Sequence, residues 1–154
     1  MNDTIFERRR DDLLVSTDRA RLDVDLIHRV LDGTYWANGI PRDVVERSIA
    51  GSVTFGVYEH GRQIGFARVI TDLATYAYLS DVFVVEDCRG RGVGDWLVES
   101  IRLHPQLQGL RRFALFTRDA GPLYARHGFA EPPPPTGYME ILDRDVYRPK
   151  PEPT

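Results

Sequence analysis

The sequence predicts an α/β protein: one domain in which a mixed sheet is flanked by helices. Three observations carry that reading. The hydrophobic period changes along the chain, from helical spacing over residues 21–33 to alternation over residues 52–69. The unbroken apolar run Val82-Phe83-Val84-Val85 reads as a strand covered on both faces. That run leads into Arg89-Gly90-Arg91-Gly92-Val93-Gly94, and a helical pattern begins at once.

The elements follow in order. "DLLVSTD" is a strand ahead of the first helix. In "RLDVDLIHRVLDG", Leu22, Leu26 and Val30, with Ile27 and Leu31 beside them, form the stripe of an amphipathic helix that stops at Gly33. "TYWANGIP" is a loop, and Pro41 opens a second helix, "RDVVERSIAG", that ends at Gly51. Val53, Phe55 and Val57, then Ile64 and Phe66, alternate about a His60-Gly61 turn and predict a hairpin whose second strand continues toward Arg68. "ATYAYLSDVFVVE" is a long strand. Val93, Leu97 and Ile101, with Val98, mark the buried face of a helix that ends near His104-Pro105. "RRFALFT" is a strand, "DAGPLYARHGF" a short helix closed by Gly128, and "YMEILD" a last strand. "EPPPPTG" is a stiff loop and "RPKPEPT" a frayed end, which sets a domain at 1–145 and a Pro-rich tail at 146–154.

Composition narrows the function classes. A chain of 154 residues is long enough to bury roughly two-thirds of its unfolded surface. A net charge of −3 argues against a general nucleic-acid binder. The single cysteine, Cys88, excludes an internal disulfide and reads as a structural neighbour of the loop. "MNDTIFERRRDDLL" has no apolar segment after its basic residues, and no run approaches the ~20 apolar residues of a spanning helix, so a cytoplasmic protein without a membrane partner is expected. His28, His60, His104 and His127 show no metal-ligand spacing, and no metal is expected.

The glycine junction carries the chemistry. The first N–H groups of a helix lack intrahelical partners, and with the helix dipole they attract an anion. Glycines let a ligand reach the backbone, and Arg89 and Arg91 add positive charge, so the junction predicts a phosphate. A P-loop would need Lys-Ser or Lys-Thr after the glycines. A dinucleotide fingerprint begun at Gly90 meets Asp95 at its last position and lies past mid-chain. The pattern [QR]-x-x-G-x-[GA] is met residue by residue by Arg89, Gly92 and Gly94.

With that pattern, the element order and "GPLYARHGF", the chain resembles the Gcn5-related N-acetyltransferase (GNAT) superfamily from about Leu22 to Leu142. The resemblance implies the acyl-CoA N-acyltransferase fold, a mostly antiparallel sheet splayed between its fourth and fifth strands. It implies acetyl-CoA as donor, its pyrophosphate on Arg89, Gly90, Arg91, Gly92, Val93, Gly94 and Asp95 and its pantetheine arm along Val82, Phe83 and Val84. It places Tyr124 as general acid to the departing thiolate. A phenol near pKa about 10 can donate to a sulfur whose thiol lies near about 8.5. Many members carry Asn where this chain has Thr117, whose hydroxyl can still bond the cofactor; Asp119 beside it suits a helix cap. No motif marks a general base, for which Asp81 and Glu86 are candidates. Acceptor specificity in the superfamily comes from regions matching "GTYWANGIP" and "EPPPPTGYM", where Tyr35 and Trp36 can wall the pocket by stacking on a ring or cation, or can cover the edge of the core. The expected activity is acetyl transfer to a primary amine of a small molecule by direct attack in a ternary complex. A protein or peptide acetyltransferase and a non-catalytic acetyl-CoA sensor are the alternatives, and a homodimer is possible.

Overall fold

The computed structural model describes residues 4–149. Six strands form one sheet in sequence order: β1 (Glu7–Arg10), β2 (Leu13–Ser16), β3 (Val53–Glu59), β4 (Arg62–Thr71), β5 (Tyr76–Val84) and β6 (Arg112–Leu115). Every pairing is antiparallel except β5 with β6, which is parallel. Helices α1 (Val24–Asp32) and α2 (Arg42–Ala50) connect β2 to β3, α3 (Val93–Leu103) connects β5 to β6, and α4 (Gly121–Ala125) follows β6. This is the mixed α/β architecture the periodicities predict.

Local chemistry explains the boundaries. The Asp23 carboxylate accepts from the Leu26 N–H and starts α1, while Gly33 caps its end. His60 and Gly61 both take positive φ, 50° and 78°, as a tight hairpin turn requires. The α3 stripe is buried as expected: Leu97, Val98 and Ile101 are fully enclosed, and burying each contributes about 1.5–3 kcal/mol. Phe55, Phe66, Ile64 and Val69 supply the facing layer from β3 and β4.

Strand β1 was not expected. Its sequence, Glu-Arg-Arg-Arg, has no apolar alternation. It is held by pairing with β2 and by Arg8 and Arg10, whose guanidinium carbons lie 5.8 and 5.1 Å from the centre of the Trp96 ring. The strand expected over residues 138–143 does not form. That segment pairs with no strand of the described sheet, and Tyr138, Met139, Ile141 and Leu142 are exposed. Tyr147 packs against the core. The expected frayed end lies outside the described residues from Lys150 onward.

Two irregularities shape the site. Pairing of β5 with β6 runs only from Tyr76–Arg112 to Leu79–Leu115, so Ser80–Val84 continue beyond it. This is the splay expected between the fourth and fifth strands of the resembled fold, here fifth and sixth because β1 precedes them. On the other side of β5 the register shifts: Phe66 opposes Phe83, but Arg68 opposes Ser80. The extra residue is a bulge, and Asp81 within it has φ 55°.

Candidate active site

The glycine loop joins the end of β5 to α3. Gly90 and Gly92 have φ 76° and 77°, and a Cβ on either would stand in open space. Gly92 is the α3 N-cap and supplies no side-chain cap, so the first-turn N–H groups after it face outward unpaired within the helix. The loop therefore leaves backbone donors and open space at the start of α3.

The arginines of the loop are held by neighbours. Arg89 Nε donates to the Val84 carbonyl at 2.9 Å, so one acceptor on the expected pantetheine strand already carries a hydrogen bond. Arg91 pairs with Glu59 at the end of β3, and its hydrogen bond, with its charge second, holds the Glu59 carboxyl below its ordinary range. Arg62, the cross-strand partner of Glu59, bridges Asp87 in the same manner. Cys88 is buried beside the loop. Val82 and Val84 are half-buried and Phe83 is buried against Phe66.

Asp95, in the first turn of α3, lies 2.9 Å from His127 Nε2 and 3.3 Å from Arg126 Nε. This pair ties the loop to the segment carrying Tyr124, a link the sequence did not signal. Tyr124 is buried, with its ring edge-on to Phe129 at 6.0 Å. Burial, then the charge of Asp119, pushes its phenol above the ordinary value and keeps it protonated at neutral pH. Thr117 Oγ1 accepts from the Ala120 N–H at 3.0 Å and secures the start of α4. Thr117, rather than Asp119, thus supplies this local cap; the α4 N-cap, Ala120, has no side-chain hydrogen bond.

On the acceptor side the structure joins residues far apart in sequence. The Trp36 indole donates to Asp81 Oδ1 at 2.9 Å, and Arg68 Nε donates to Asp81 Oδ2 at 2.9 Å. The Arg68–Asp81 pair is largely enclosed, with side chains 15% and 8% exposed. Arg68 also donates to Ser52 Oγ. Tyr35 meets Trp36 edge to face at 5.0 Å, and the Arg118 guanidinium lies 3.7 Å from the Tyr35 ring centre. Both aromatics are about half exposed, at 51% and 45%. Glu86 sits at the exposed start of the turn after β5. Arg118 was not singled out in the sequence, and Arg68 was read only as part of a strand. A charged residue at an inward position of an apolar strand is the signal that marks Arg68.

Among the described residues no group of three His, Cys, Asp or Glu could hold a metal ion, and no helix is long and apolar enough to cross a membrane.

A sheet that parts beside a glycine-opened helix is the architecture of an acyltransferase. Comparison with known proteins agrees. The family model for the acetyltransferase (GNAT) domain matches residues 50–131, over half of the chain. A protein of Gibberella zeae, an acetyltransferase by inferred name, is 35% identical over 77% of this chain and 78% of its own. A crystal structure of an inferred GNAT-family acetyltransferase from Xanthomonas campestris pv. campestris is 50% identical, with a TM-score of 0.85, and spans 88% of this chain and 96% of that one. A Mycobacterium tuberculosis protein solved in complex with CoA shares the fold, with a TM-score of 0.62 at 21% identity over 77% of this chain and 72% of that one. The chain belongs to the GNAT acetyltransferase family and is an acyltransferase enzyme.

Proposed function

We propose that this enzyme transfers the acetyl group of acetyl-CoA to a primary amine of a small molecule, by direct attack of the amine in a ternary complex. The observation that carries this reading is the uncapped α3 N-terminus at Gly92, set at the end of a strand whose pairing with β6 stops at Leu79. The loop amides offer a diphosphate cradle, and beyond Leu79 the edge of β5 away from β4 has no strand partner among the described residues and can line the donor's arm, the Val84 carbonyl being already bonded by Arg89. The Mycobacterium neighbour's CoA supports the same donor here.

The chemistry divides among the chain's own residues. The amine nitrogen bonds to the acetyl carbonyl carbon, the carbon–sulfur bond breaks, and the amine loses a proton. Tyr124, held neutral by burial, gives its O–H proton to the departing sulfur and regains one from water after CoA leaves. Asp81 holds the amine and accepts its proton for release to water; each of its oxygens has one protein donor and a further lone pair. Tyr35 and Trp36 wall the acceptor.

Thermal shift tests the donor. Acetyl-CoA and CoA should raise the melting temperature, with NADH and ATP doing so much less. An equal response to all four removes the assignment. A screen of small amines with thiol-release detection tests the reaction. Acetyl-CoA binding without thiol release to any amine or peptide would recast the protein as a sensor.

A further inference from the structure

We infer that the acceptor amine carries an anionic group of its own and that Arg118 is the residue that selects it. This rests on the acetyltransferase reading and names the substrate class for the same site.

Arg118 differs from the arginines around it in what holds it; Arg89 of the loop, which also lacks a carboxylate among the described residues, is tied to the Val84 carbonyl. Arg62, Arg68 and Arg91 each pair with a carboxylate. Among the described residues no carboxylate lies within ion-pair distance of Arg118; its partner is the face of Tyr35, and its side is exposed. Stacking satisfies the flat face of a guanidinium and leaves its in-plane N–H groups available. Those donors form a fork suited to two oxygens of a carboxylate or phosphate.

The position of that fork is informative. Arg118 covers Tyr35, Tyr35 meets Trp36, and Trp36 bonds Asp81. The aromatic pair therefore separates an unpaired cation from a carboxylate at the bulge beside the parted strands. Because Arg68 balances the charge of Asp81, Arg118 leaves this row with an excess positive charge. A simple alkylamine or polyamine would bring more positive charge to it. A ligand with an ammonium or amine at one end and an oxyanion at the other matches both ends.

The experiment uses matched amines: β-alanine, ethanolamine phosphate and β-alaninamide, with the glycine and γ-aminobutyrate homologues and their amides. Turnover is read by thiol release, and binding to the acetyl-CoA-saturated protein by calorimetry. Wild type should favour an anionic amine over its amide by about 10–100-fold, the scale of a charged hydrogen bond. The relative response to carboxylate and phosphate identifies which oxyanion is read. Arg118→Gln should lower turnover of the anionic amines far more than that of their amides while the thermal shift with acetyl-CoA persists, and Arg118→Lys should restore part of the preference. No anionic preference in wild type, or an equal loss for anionic and neutral amines in Arg118→Gln, overturns the proposal. A missing acetyl-CoA shift in wild type would instead overturn the donor reading beneath it.

Discussion

His127 Nε2 lies 2.9 Å from the Asp95 carboxylate and links the first turn of α3 to the segment that follows Tyr124. The contact ties the position of Tyr124, the proposed proton donor, to the loop proposed to hold the phosphates of acetyl-CoA. The His127 hydrogen bond, and to a lesser degree Arg126, holds the Asp95 carboxyl below its ordinary value. An acid with a lowered folded pKa stabilises the fold above its unfolded value of about 3.9, and that stability is lost as pH falls through the folded value. Asp95→Asn should therefore melt below wild type at pH 7, and the gap should close below about pH 4. Melting curves from pH 3 to 8 check this; a gap that stays constant at every pH would assign the loss to something other than the charge.

The Asp81 carboxylate depends on Arg68. Both side chains are largely enclosed, so Arg68→Met should leave an uncompensated buried charge and cost about 3 kcal/mol in denaturant unfolding. Asp81→Asn keeps the shape and removes the charge. We expect kcat to fall about 100-fold with acetyl-CoA affinity little changed. Full activity in the Asn variant would move Asp81 to a purely structural role.

Tyr124 offers a cleaner separation. Tyr124→Phe deletes one hydroxyl from a buried ring and should lower kcat by about 100-fold while the acetyl-CoA thermal shift stays near wild type. Because burial raises the phenol, it should contribute no inflection to the pH–rate profile below about pH 10. An unchanged kcat with chemistry rate-limiting would return this residue to packing.

Gly92 can be tested against a glycine of similar backbone. Gly92 has φ 77° and Gly109, in the loop before β6, has φ 71°. Alanine at either should cost roughly 1–2 kcal/mol of backbone strain. Only Gly92→Ala adds a methyl before the α3 amides, so only that variant should lose most of its stabilisation by acetyl-CoA. Similar losses in both variants would argue that the loop does not receive the phosphates.

Much of the fold was legible because it is local. The α1 and α3 stripes, the His60-Gly61 turn and the glycine junction each express themselves within a few residues. Strand β1 escaped because four polar residues gain their structure from partners elsewhere, β2 and Trp96. Residues 138–143 misled because an apolar segment states only a preference, whereas a strand also needs a neighbour. The same distinction divides the site. The phosphate loop is a run of consecutive residues. Trp36 and Asp81 are 45 positions apart, and Asp95 and His127 are 32 apart. Contacts at that range depend on sheet order and register, which no short motif records.

The bulge at Asp81 has a consequence for how β5 encodes its two faces. Leu79 opposes Val69, whereas Phe83 opposes Phe66, so these two odd-numbered residues of one strand point to opposite sides. The inserted residue shifts the reading frame of inside and outside midway along the strand. Deleting it would let β5 pair with β4 residue for residue, with Phe83 still opposite Phe66, but would remove the left-handed backbone that turns Asp81 toward Trp36 and Arg68. One backbone irregularity thus accommodates an extra residue without disturbing the pairing on either side, and it is that residue which sets where the Asp81 carboxylate stands.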